Sequence, residues 1–324
     1  MRRLLWARGL GILLVLTMEI AIFSILTQRP DRPNPMLDAS NLLATVRDMT
    51  VLATAALGSC VIIISGGIDL SVGSCIALTS VVTAYAIVSG YSPVVASALG
   101  IMTATAMGLL SATFITRAKL PPFIATLGMM SIARGLAYLI TKGATIPIPD
   151  SAFTRGLGSG MIPLPRVSVP VPVVLLLVCA LVFHLFLTRT RWGREIYALG
   201  GNEEAARLSG VPIRRLKYLV YALGGLMAGL AGVIFTAYYG TGQSTAAMGW
   251  ELDAIASVVI GGGSLSGGRG SIGGTCIGAL ILQVLRSGLA MVGASDYNQL
   301  IIGAVVIAVV AFDQVTGRRR MGMG

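Results

Sequence analysis

Apolar residues in this chain neither alternate nor gather on one helical face; they run in blocks of 15 to 24 residues separated by short polar or Gly/Pro-rich connections. A block that is apolar all round leaves no side for water, and ~20 such residues (range about 17 to 25) match the hydrocarbon core of a bilayer. The pattern predicts ten spans: Gly9–Leu26, Met49–Ser65, Leu70–Ser89, Pro93–Thr116, Leu120–Thr141, Val167–Thr188, Tyr218–Tyr239, Leu252–Ser266, Ser271–Val292 and Tyr297–Phe312. The eighth and tenth are short for a full crossing. The fold class is therefore an all-α polytopic membrane protein, a single transmembrane domain over 1–324. The connection Lys142 to Arg166, rich in Pro and Gly, reads as irregular and water-facing on the outer side.

Composition agrees with this class. Hydrophobic residues make up 55% of the 324 positions and charged residues 11%, against ~25% charged in soluble domains. The net charge of +11 would raise the question of nucleic acid in a soluble protein, but its distribution answers it. With the N-terminus placed inside, Arg2, Arg3, Arg8, Arg117, Lys119, Arg189, Arg191, Arg194, Arg207, Arg214, Arg215, Lys217, Arg269, Arg318, Arg319 and Arg320 face the cytoplasm. The outer side holds only Arg29, Arg32, Arg47, Lys142, Arg155 and Arg166, with Arg134 and Arg286 inside spans. Lys and Arg collect on the cytoplasmic side of membrane proteins, so both termini are expected inside and no nucleic acid is needed. The basic start followed by an apolar run lacks an A-x-A site and reads as an uncleaved first span. Cys60, Cys75, Cys179 and Cys276 sit in apolar runs without C-x-x-C spacing, as small membrane hydrophobes.

Two stretches share the pattern G-G-x-x-L-S-x-G: Gly66, Gly67, Leu70, Ser71, Gly73 in the first and Gly261, Gly262, Leu265, Ser266, Gly268 in the second. The likeness continues into GSCIAL at Gly73–Leu78 and GTCIGAL at Gly274–Leu280. It is expected to mark a duplicated helical hairpin, with both motifs at cytoplasmic ends, and internal repeats of this kind are a recurrent transporter plan. Catalytic motifs are missing. Gly263 to Gly270 approaches a phosphate loop, but Arg269 stands in place of the Lys and Gly270 in place of the Ser/Thr, so neither group that would engage phosphate or magnesium is there. His184 is the sole histidine and reads as a structural residue; neither a metal site nor a G-x-S-x-G elbow is expected.

Charges within spans need partners, because one at mid-membrane costs at least ~2.5 kcal/mol. Arg134 and Arg286 each lie about 14 residues into a span that rises from the cytoplasm, roughly 21 Å up. Glu251 and Asp253 open the eighth span at a similar height, and Glu251 is the leading partner for Arg286. These four residues form either a charge lock or part of a solute path. Asp69, at the first glycine motif, is expected to cap the hairpin rather than to gate. Tyr238, Tyr239, Trp250 and Tyr297 fit an interfacial aromatic belt better than a stacking site.

The loop RTRWGREIYALGGNEEAARLSGVPIRRLKY spans Arg189 to Tyr218. Asn202 is placed to cap a short helix whose first turn carries Glu203 and Glu204, and Gly210 and Pro212 stop it. So short a helix is marginal alone and gains from docking.

The segments SGGIDLSVGS (Ser65–Ser74), PPFIATLGMMSIARG (Pro121–Gly135), RTRWGREIYALGGNEEAARLSGV (Arg189–Val211) and ELDAIASVVIGGGSLSGGRGSIGGTCIGALI (Glu251–Ile281) together resemble the permease subunits of bacterial ABC importers for ribose, galactose and related monosaccharides. The first 48 residues carry little of the resemblance. It implies a second permease subunit, two cytoplasmic ATP-binding subunits and a periplasmic sugar-binding protein, with ATP and magnesium held by the partner and no cofactor in this chain. It also implies that Gly201, Asn202, Glu203, Glu204, Ala205, Ala206, Arg207, Leu208, Ser209 and Gly210 are the coupling helix that seats in the ATPase, where a bulky charge at Ala206 should obstruct docking while sparing the spans. The other readings are a self-contained ten-span secondary transporter and a membrane enzyme; the second lacks any catalytic constellation.

Overall fold

Among the described residues, six of the apolar blocks form helices long and apolar enough to cross a membrane. They are α2 (Ala39–Ile64), α4 (Pro93–Thr116), α5 (Pro122–Thr141), α6 (Val171–Arg189), α9 (Ile213–Tyr239) and α11 (Ile272–Met291). Around them stand α1 (Arg2–Thr27), the shorter α3 (Val72–Val88) and α10 (Trp250–Ile260), and a pair between α6 and α9: α7 (Arg191–Gly201) and α8 (Glu203–Leu208). The computed structural model describes residues 2–28, 33–163, 165, 168–305, 307, 308 and 311, with side chains from residue 11 onward. Arg29, Arg32, Arg166, Arg318 to Arg320 and the end of the tenth predicted span at Phe312 lie outside the described residues; within them, 298–305 are helical.

The centre belongs to α2, α3 and α9, which pack on one another or on shared neighbours. Small residues allow this. A Cβ on Gly225 of α9 would meet Ala104 O of α4 at 2.4 Å, and one on Gly108 of α4 would meet Tyr221 O of α9 at 2.2 Å. Backbones approach this closely where no side chain intervenes, the usual means of helix association in lipid. The connections add two short strand pairings that the apolar pattern did not predict: β1 (Ile146–Pro147) with β4 (Thr241–Gly242), and β2 (Met161–Pro163) with β3 (Ser168–Pro170), both antiparallel.

Two of the predicted spans are entered through irregular backbone. The third, expected from Leu70, begins as helix at Val72, after a non-helical stretch from Gly67 to Ser71. Asp69 on that stretch lies beside Gly224, which is 224 − 213 = 11 residues along α9, about 16 Å from its start. The eighth, expected over Leu252–Ser266, is helical for 11 residues, or about 16 Å, half a bilayer core. The chain enters it through a non-helical segment, Thr241 to Gly249, that runs down inside the bundle. Irregular backbone at this depth must find hydrogen-bond partners within the protein. Thr126 of α5 supplies one: its hydroxyl accepts from Leu70 N–H at 3.2 Å and faces Ile68 O at 3.2 Å. Thr126→Val is expected to strand that part-buried N–H and destabilise the fold by ~1 kcal/mol, with Thr126→Ser close to wild type in detergent unfolding; equal stability of all three would sink the assignment.

The glycine motifs do end two helices alike, but one residue out of the predicted register. Gly66 N–H bonds Ile63 O and Gly67 N–H bonds Ile62 O; Gly262 N–H bonds Val259 O and Gly263 N–H bonds Val258 O. Gly66 (φ +83) and Gly262 (φ +89) are therefore equivalent, each the left-handed residue just past a helix, where glycine carries no Cβ penalty. The hairpin expectation holds for one copy: α10 packs along α11, whereas α3 leaves α2 to pack on α4, α5 and α9.

Candidate functional site

The loop between α6 and α9 holds more structure than its sequence predicted. Thr190 caps α7, its hydroxyl accepting from Gly193 N–H at 3.1 Å. Ile196 and Leu199, three apart and so on one face, are buried against the bundle. That face, with Gly193 one turn before, was the sequence signal for α7. Asn202 then breaks the helix and starts α8, its side-chain oxygen accepting from Ala205 N–H at 2.9 Å. Glu203 and Glu204 occupy the first turn as expected, and Gly210 (φ +81) ends the segment. Lys217 Nζ on α9 reaches the Glu203 carboxylate at 2.7 and 2.9 Å, and Glu204 pairs with Arg207. The pairing with Glu204 raises the Arg207 guanidinium above its ordinary value.

Of the six residues in α8 only Ala206 is buried, at 5% exposure, while Leu208 stands 79% exposed. This corrects the expectation for Ala206. It faces its own chain, so a bulky charge there would disturb the seat of α8 rather than an outside partner.

The far end of α7 is wedged between both glycine turns. A Cβ on Gly200 would lie 1.8 Å from Ile64 O and 2.6 Å from Gly268 N. Gly268 N–H donates to Ile64 O at 2.8 Å, and Tyr197 OH donates to Gly270 O at 2.9 Å. Burial pushes the Tyr197 hydroxyl up to about 12, so it remains a protonated donor. The end of α2, the turn before α11 and α7 thus meet in one backbone-to-backbone junction. Gly261, Gly262, Leu265, Ser266 and Gly268 belong to that turn, while Gly66 and Gly67 open the other, with Leu70, Ser71 and Gly73 carrying it into α3.

Deeper in the bundle the structure separates the charges that the sequence grouped. Asp69 accepts from Ser71 N–H at 2.7 Å and Ser71 Oγ at 2.6 Å, so it braces the start of α3 and not the hairpin it was expected to cap. Arg134 donates to Ser244 O and Ala246 O, both at 2.8 Å, so its charge is met by carbonyls of the descending segment. Arg286 pairs with Asp253, not with Glu251. Two residues apart on a helix is ~200° of rotation, so when Asp253 faces α11, Glu251 faces the other way, toward α3 and α5. Asp253→Asn is expected to leave Arg286 part-buried without its counter-charge and to cost ~3–5 kcal/mol. Adding Arg286→Gln should recover part of that loss in a double-mutant cycle read by thermal unfolding in detergent; strictly additive losses would refute the pairing.

At the opposite end from α7, Arg47 donates to Tyr238 OH at 2.7 Å and lies over its ring, and Tyr238 donates to Asp48 at 2.6 Å. Trp250 lies 5.8 Å from Arg286. Two of the four aromatics predicted for the interfacial belt are therefore tied to arginines; the sequence signal missed was the Arg47-Asp48 pair just before an apolar block. His184 is exposed on α6.

A family model described as branched-chain amino acid transport system / permease component matches residues 41–310. The ribose import permease protein RbsC of Bacillus subtilis (strain 168) is 40% identical over 304 residues, covering 93% of this chain and 90% of that protein. The protein of the same name from Escherichia coli (strain K12) is 41% identical over 310 residues, 93% and 92% of the two chains. The D-allose transport system permease protein AlsC of that strain is 34% identical over 310 residues, 95% and 92%.

Proposed function

The chain belongs to the branched-chain amino acid transport system / permease component family, and from that membership we propose that it is the permease subunit of an ATP-driven monosaccharide importer of the inner membrane. The family description names amino acids, whereas similar proteins at 34–41% identity over more than nine-tenths of each chain are named for ribose and allose. We follow the relatives, since identity over the whole length bears on the solute more closely than a family title does. ATP and magnesium belong to a separate ATPase, and a periplasmic binding protein delivers the sugar. A second permease, identical or paralogous, completes the path.

The observation that carries this reading is α8. It is a capped helix too short to stand alone, exposed on five of its six residues, and continuous through α7 with the junction of both glycine turns. A docked ATPase would move that junction directly, and two states that differ in their contacts with ATPase and binding protein are what alternating access requires. A self-contained secondary transporter gives α8 no task. The arginine distribution supports ten crossings with both termini in the cytoplasm, α3 and α10 being the shorter members. Thiol labelling should then place 142–166 outside and Arg194 inside, on the same side as Arg319; opposite sides for the two arginines would overturn this topology. For the function itself, the chain should co-purify with an ATPase and take up sugar in proteoliposomes only with ATP, that ATPase and the binding protein. Uptake by the chain alone, driven by a proton or sodium gradient, would overturn it.

A further inference from the structure

The two helices entered through irregular backbone, α3 and α10, begin at the same place. Gly73, in the first turn of α3, lies so close to the first turn of α10 that a Cβ on it would meet Glu251 Oε2 at 2.4 Å and Ala247 O at 2.5 Å. Beside this meeting point opens a cavity of about 500 Å³ lined by Ser74, Ser131, Arg134, Tyr138, Met248 and Glu251. Pockets for small molecules run ~300–1,000 Å³, so its size suits one sugar with water.

The polar groups around it are incompletely used. Ser74 is fully buried, yet its hydroxyl has no hydrogen-bond partner among the described residues, and the same holds for Glu251 Oε2. A serine inside a helix ordinarily bonds the carbonyl one turn back, so an idle buried hydroxyl calls for an explanation of its own. Arg134 is held by two carbonyls, which fixes the position of its fork; a guanidinium has five N–H donors, so others remain to face the cavity. Ser131 and Tyr138 stand on the same exposed side of α5. A carboxylate that only accepts, a fixed guanidinium that only donates and hydroxyls that do both form a set matched to a polyol, whose every hydroxyl both gives and takes a hydrogen bond. Two helix N-termini converging on one point inside a membrane bundle bring their positive dipole ends together, and irregular backbone leading into helices lines substrate sites in transporters.

We propose that this cavity is a hydroxyl-binding subsite for a sugar in transit, in which Glu251 accepts from neighbouring hydroxyls while Arg134 and Ser74 bond their oxygens. Gly73 keeps the carboxylate in place by leaving room for it. The inference rests on the importer reading, and the wild-type assay separates the two: uptake without ATP or the ATPase rejects the importer, whereas the variants below address the subsite alone.

In the full complex in proteoliposomes, sugar moved per ATP hydrolysed should fall at least tenfold in Glu251→Gln and at least threefold in Ser74→Ala, normalised to assembled complex. A ratio at the wild-type value in both would overturn the proposal. Should either variant fail to assemble, a thiol at an exposed position decides. A Ser131→Cys variant should react with a membrane-impermeant cationic methanethiosulfonate, above the parent chain's background, and more slowly in 100 mM ribose than in its absence. A Leu139→Cys variant, on an outward apolar position 72% exposed, should not react. An unreactive Ser131→Cys variant, or one that ribose leaves unprotected, would overturn the subsite.

Discussion

Replacing Gly200 by valine is expected to abolish ATP-driven uptake. Its Cβ would lie 1.8 Å from Ile64 O and 2.6 Å from Gly268 N, and all these atoms are backbone, so no side chain can swing aside. Inserting atoms into a packed site costs ~1–3 kcal/mol, sometimes more, and here the relief available is withdrawal of α7 from both glycine turns. The end of α2, the turn before α11 and the approach to α8 would part company. Gly201 provides the control, because a Cβ there meets nothing within 4 Å. Gly201→Ala should therefore match the wild type in detergent stability while Gly200→Val melts lower and transports at background. Near-normal uptake by Gly200→Val would mean that α7 does not transmit motion at this junction.

The second large effect is expected at Leu208. An exposed leucine on a short connecting helix does little for its own chain, so Leu208→Asp should change stability by no more than about 0.5 kcal/mol. If α8 seats in a partner, burying that leucine contributes ~1.5–3 kcal/mol to association, which is ~10- to 150-fold in Kd. A charged replacement should weaken the ATPase complex by at least that factor and remove uptake with it. Co-purification at increasing dilution measures the first effect and reconstituted uptake the second. Tight association with normal uptake would remove α8 from the interface. Ala206→Asp is the informative contrast: Ala206 is packed against its own chain, so its loss of association should come with a loss of folded protein.

How much of this was legible in advance depends on the range of the forces involved. The apolar blocks, the cap at Asn202 and the stop at Gly210 are local matters, decided by a residue and its neighbours within one or two turns, and they could be read from the sequence. The two glycine motifs were visible too, yet they were aligned one residue off, because helix ends, not letter matches, decide which glycine must be left-handed. Glu251 and Asp253 were named without their facing sides. Their directions follow from where α10 starts, and that depends on how far the segment from Thr241 is drawn inward by Arg134, Ser80 and β1.

The sequence by itself determined the class of protein, the number and order of its apolar blocks, the short capped helix and the resemblance to sugar permeases. Each rests on composition, periodicity or motif, which a linear string contains. Only the tertiary structure decided that α10 is a half-length helix whose start meets that of α3 inside the bundle, that Gly200 is the point of contact between α7 and both turns, and which side of α8 is free. An apolar string reads the same whether its backbone bonds are made within a helix or by a distant partner such as Thr126, and the difference appears only when the partner is in place.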